Sequence, residues 1–83
     1  MGLSTTQRFL VGAIRAANTE GYFASHAVGA ALGYSAVQSD AAIRSLGERR
    51  MLIELERGQA RLLAAGREFA ARLETKVSSR GAH

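Results

Sequence analysis

The chain reads as a mainly α-helical domain with a small β-hairpin, an α+β fold in the order helix, strand, helix, helix, strand, strand, helix. Two observations predict it. From Leu46 to Gly66 the string LGERRMLIELERGQARLLAAG reads as a helix end, an apolar strand, a tight turn on Arg57-Gly58, a return strand and the opening of another helix. Ahead of it, Ser4, Ser25 and Ser35 each stand before a short run with helical apolar spacing, which is where N-capping serines belong.

The first helix should run from about Thr5 to Asn18. Phe9, Leu10, Ala13, Ile14 and Ala17 recur on one face, and Asn18 and Gly21 act as stop signals. Tyr22-Phe23-Ala24 is short and apolar, suited to pair as a third strand at the base of the hairpin. Ser25 is expected to cap a brief helix over His26–Leu32 that turns Val28 and Leu32 inward and ends at Gly33. Ser35 then caps a third helix, about Ala36 to Arg49, whose buried stripe should be Ser39, Ala42, Ile43 and Leu46.

With Arg57-Gly58 as a two-residue turn, Leu55 faces Ala60, Glu54 faces Arg61 and Ile53 faces Leu62. Alternation then puts Ile53, Leu55, Ala60 and Leu62 on one face, and pairs the charges of Glu54 and Arg61 on the other. A type I′ turn asks for positive φ at Arg57 as well as Gly58, so a slightly longer loop is the alternative. Beyond Gly66, Arg67–Val77 is an amphipathic helix with Phe69, Leu73 and Val77 as a ridge. Ser78–His83 reads as a frayed tail.

Composition bounds the class. A chain of 83 residues makes one domain with a small core, here expected over residues 4–77. No cysteine occurs, which removes disulfides and thiol chemistry and fits a reducing cytoplasm. No apolar run reaches the length of a membrane span. The formal charge of +4 and a pI near 10.7 favour a polyanionic partner. His26 and His83 are isolated, no phosphate-loop spacing appears, and nothing holds Ser, His and Asp in a catalytic arrangement. No metal, cofactor or enzymatic activity is expected.

Leu46-Gly47-Glu48-Arg49-Arg50-Met51-Leu52 resembles the L-E-x-x-G-L-V helix-to-wing junction of MarR-type winged helix-turn-helix regulators. Arg61-Leu62-Leu63-Ala64-Ala65-Gly66-Arg67 is similar to the R-L-T-x-x-G-R segment that closes their wing. The resemblance covers about residues 5–77. Arg50 stands where that family has glycine and Leu63 where it has threonine. The hairpin is also shorter, and the long flanking helices that build the MarR dimer have no counterpart.

The resemblance implies a transcriptional regulator binding double-stranded DNA, cytoplasmic and nucleoid-associated, with the third helix in the major groove. Its exposed residues would be Ala36, Val37, Gln38, Asp40, Ala41 and Arg44. Gln38 can pair bidentately with adenine, Val37 can pack on a thymine methyl, and Arg44 can reach guanine or phosphate. Ser35 and Gln38 suit phosphate at the helix N-terminus, and Arg57 can follow a phosphate or enter the minor groove. Asp40 opposes phosphate unless it accepts from cytosine N4. A homodimer through Phe69, Leu73, Val77, Leu10 and Ile14 would double the contacts on a palindromic site, the same residues otherwise packing inside one monomer. The alternative function is a winged-helix module that binds protein rather than DNA. No small-molecule effector is legible.

Overall fold

The computed structural model describes the backbone of residues 2–81 and the side chains of residues 2–76. In chain order the elements are α1 (Thr5–Ala16), β1 (Tyr22–Ala24), α2 (Ser25–Ala31), α3 (Ala36–Glu48), β2 (Leu52–Glu54), β3 (Gln59–Leu62) and α4 (Ala64–Gly81). The strands form one antiparallel sheet in the order β1-β3-β2, so the early strand does close the base of the hairpin.

Two helices begin with a reciprocal cap. Ser4 Oγ accepts the amide of Gln7, whose own Oε1 accepts the amide of Ser4, and Ser35 and Gln38 repeat the arrangement at α3. The first helix stops at Ala16 rather than Asn18. Ala17 is already extended, and Asn18 Oδ1 instead accepts the amides of Glu20 and Tyr22, holding the turn into β1. The second helix departs from expectation at both ends. Ser25 is its first residue, not its cap, and Leu32 closes it with 37% of its surface exposed, not inward. Gly33 follows with φ +79°, the left-handed exit expected there.

The buried stripe of α3 is Ser39, Ala42, Ile43 and Leu46, as its spacing predicts. Its C-terminus is a Schellman motif. The amide of Met51 donates to Leu46 and that of Arg50 to Gly47, with Arg50 at φ +58°, where the left-handed residue of such a motif is usually glycine.

The hairpin has the expected turn but not the expected register. Arg57 and Gly58 both have positive φ, and the amide of Gln59 donates to the carbonyl of Glu56 across them, as in a type I′ turn. The amide of Leu55, however, also bonds the carbonyl of Gln59, so Leu55 and Glu56 together oppose one residue. This one-residue bulge slips the ladder to Leu52↔Leu62, Ile53↔Arg61 and Glu54↔Ala60. Leu52, Ala60 and Leu62 are therefore the buried set, while Ile53 and Leu55 face solvent. The expected Glu54–Arg61 pair does not form. The Arg61 guanidinium lies 5.1 Å over the Tyr22 ring and donates to the Glu20 carbonyl.

The last helix starts two residues before Gly66, not after it. Gly66 is buried in its first turn against the Met51 carbonyl, where a Cβ would come within 2.1 Å of the oxygen. It continues to Gly81, so residues 78–81 are helical rather than frayed; Ala82 and His83 lie outside the described residues.

One hydrophobic cluster joins all of this. Phe9, Leu10 and Ala13 meet Phe23, Val28, Ile43, Leu46, Leu52, Leu62, Ala70 and Leu73, with Phe9 and Phe23 edge-to-face at 6.4 Å. Arg15 Nε bridges to Glu74 at 3.1 Å on the outside of the α1–α4 contact. No helix among the described residues is long and apolar enough to cross a membrane.

Candidate nucleic-acid interface

The surface of interest is built from the side of α3 that the core leaves uncovered. Because Ser39, Ala42, Ile43 and Leu46 point inward, Ala36, Val37, Gln38, Asp40, Ala41 and Arg44 are all exposed, with Val37 at 77%. Val37 is the most open of the described large apolar side chains and is free to meet a partner.

The pose of α3 is set by α2. Gly29 presses against Ser39 so closely that a Cβ would stand 1.8 Å from Ser39 Oγ. The hairpin is fastened to the same unit at its turn, where the amide and the hydroxyl of Ser25 both donate to the Gly58 carbonyl at 2.9 Å. This explains why Ser25 does not cap α2. Its hydroxyl is committed to a residue far along the chain.

His26 completes the junction. Its Nε2 lies 3.3 Å from Asp40 Oδ1 on the open face of α3, and its Nδ1 lies against Gly58, 3.5 Å from where a Cβ on that residue would be. The start of α2, the middle of α3 and the hairpin turn therefore form one continuous surface, with Arg57 exposed beside Gly58. His26 was not recognisable as part of it from sequence, because its partner is 14 residues away on another helix. It also bears on Asp40, since a protonated imidazole would offset that carboxylate's repulsion of phosphate.

Two assignments change in detail. Ser35 Oγ accepts the Gln38 amide at 3.1 Å, and Gln38 Oε1 accepts the Ser35 amide at 2.8 Å. The carbonyl end of Gln38 thus already serves the cap, and bidentate pairing to adenine would have to share that oxygen with the capping box. Arg49 and Arg50, which sequence spacing did not single out, add exposed positive charge at the C-terminal end of α3.

The described residues expected at a dimer contact lie in or against the monomer's own core. Leu10 is 1% and Leu73 8% exposed within the monomer, so neither offers surface to a second copy. Ile14 and Phe69 are partly buried against the same core, and the Val77 side chain lies outside the described residues. The intramolecular alternative accounts for Leu10, Ile14, Phe69 and Leu73. No group of three or more metal-ligating side chains occurs among the described residues. Comparisons with protein-family models, curated proteins and solved structures find no match for this chain.

Proposed function

We propose that this chain is a winged helix-turn-helix transcriptional regulator that binds double-stranded DNA, with α3 in the major groove and the hairpin on the backbone. The observation that carries the reading is the uncovered N-terminal face of α3, continuous through His26 with the turn that bears Arg57. A helix exposed along one side and braced by a second helix and a hairpin can enter a groove without losing core contacts.

In this arrangement Val37 packs on a thymine methyl and the Gln38 amide nitrogen donates to a base or phosphate acceptor. Arg44 reaches guanine or phosphate. Asp40, oriented by His26, accepts from cytosine N4. Arg57 follows a phosphate, and Arg49 and Arg50 add to the nonspecific attraction. Two copies on a palindromic site would extend the footprint. With Leu10 and Leu73 in the core, such a pair would have to meet through other residues.

Fluorescence anisotropy against random and genomic duplexes over a salt series tests this. Arg44→Ala should cost about 1–3 kcal/mol on the selected sequence and little on random DNA. Arg57→Ala should weaken all sequences alike and reduce the log–log salt slope by about one. Shallow salt dependence, with affinity unchanged in Arg44→Ala, would remove DNA as the partner and leave protein recognition as the use of this face.

A further inference from the structure

The opposite use of surface occurs between α1 and α2. Gly12 brings the two helices so close that a Cβ there would lie 3.0 Å from Val28 Cγ1. Around this contact lie two open depressions. One, of about 280 Å³, is lined by Ala16, Ala27 and Ala31. The other, of about 180 Å³, is bounded by Leu3, Val11 and the two arginines of α1. Both include Gly12 and Leu32, so they lie side by side along one groove, divided by that contact. Leu32, the residue that closes α2, forms the shared wall and remains 37% exposed.

Charge selects the occupant. Among the described residues, the charged side chains lining the groove are Arg8 and Arg15, and no carboxylate lines it. Seven positions apart on α1, they lie on one side, about 10 Å apart along the axis. Arg15 gives its Nε to Glu74, yet its side chain remains 67% exposed. A second copy packed here about a two-fold axis would bring this positive rim against itself. A partner with carboxylates along its flank meets no such repulsion.

We propose that the α1–α2 groove docks one amphipathic helix of another protein, its large apolar side chains seated between Gly12, Ala27, Ala31 and Leu32 and its acidic flank against Arg8 and Arg15. The groove shares no residue with the surface assigned to DNA, so the inference stands independently of that reading.

The test is a titration of the isotope-labelled full chain with a designed helical peptide carrying leucines at i, i+3 and i+7 and glutamates on both flanks, followed by amide chemical shifts. The expected result is saturable shifts centred on Gly12, Ala27, Ala31 and Leu32, weakened about tenfold by Arg8→Glu and equally by replacing the peptide glutamates with lysine. Arg8 is exposed, and far-UV circular dichroism verifies that Arg8→Glu is folded. Ala31→Gln, a neutral change on the exposed groove wall, should block binding while leaving DNA affinity unchanged. Absence of shifts, shifts centred on α3 and the hairpin turn, or equal binding of the lysine peptide would each overturn the proposal. So would sedimentation as a dimer with the groove amides broadened, which would make a second copy the occupant.

Discussion

Ser25 and Gly58, 33 residues apart, are joined twice, the amide and the hydroxyl of the serine both donating to the glycine carbonyl at 2.9 Å. The backbone bond extends the β1–β3 pairing by one step. The side-chain bond is additional, and with Ser25 only 1% exposed no water competes for it. Together they hold the hairpin turn against the first residue of α2.

Ser25→Ala keeps the backbone bond and deletes the other. It should lower unfolding free energy by about 1 kcal/mol, read from the urea midpoint, and speed hydrogen exchange at the turn. An unchanged midpoint would mean that the hydroxyl contributes nothing to hairpin attachment.

Gly29→Ala tests the α2–α3 contact. The new methyl would overlap Ser39 Oγ, which lies 1.8 Å from the Cβ position, and turning that hydroxyl away still leaves Ser39 Cβ at a tight 3.0 Å. The expected loss is about 2–3 kcal/mol. Adding Ser39→Gly should recover much of it, whereas simple additivity of the two substitutions would show that they do not collide.

Arg50→Gly should act in the other direction. Arg50 holds φ +58° in the Schellman motif after α3, a conformation glycine adopts without a Cβ penalty. A gain of about 1 kcal/mol in thermal or urea unfolding is expected, together with weaker nonspecific DNA affinity if Arg50 supplies charge there. Lower stability in Arg50→Gly would assign the arginine a structural contact beyond its backbone.

Leu73→Glu separates core from interface. With 8% of its surface exposed and the α1 core beneath it, Leu73 cannot become a carboxylate without burying charge, so the variant should lose about 3 kcal/mol or more and unfold in part. A well-folded variant whose only defect is lost self-association would return this residue to an interface.

The parts of the fold legible in the sequence are those decided within a few residues. Ser4 with Gln7 and Ser35 with Gln38 are capping boxes because both partners lie in one turn, and the inward stripe of α3 follows from helical period alone. Ser25 shows the limit. Its position before a helical run is that of a cap, but Gly58 offers a better acceptor that only tertiary structure brings near. The start of α4 is obscured for a similar reason, since Gly66 reads as a boundary while serving as a seat for the Met51 carbonyl. Within the candidate site, the open side of α3 follows from the stripe. The occupation of Gln38 by its own cap and the bridge from His26 to Asp40 depend on side-chain geometry that spacing does not carry.

The bulge at Leu55 and Glu56 separates two properties that a flush hairpin would couple. Below it, Leu52 and Leu62 keep their core pairing; above it, Arg57 and Gly58 keep their tight reversal. Removing one codon there would make the hairpin flush while Gly58 stays bonded to Ser25 and the β1–β3 register is kept. The spare residue thus lets β2 meet the core in one phase while the turn is fixed from the other side, by β3 and α2, so a length change at this point of the gene falls on the one strand that the attachment does not hold.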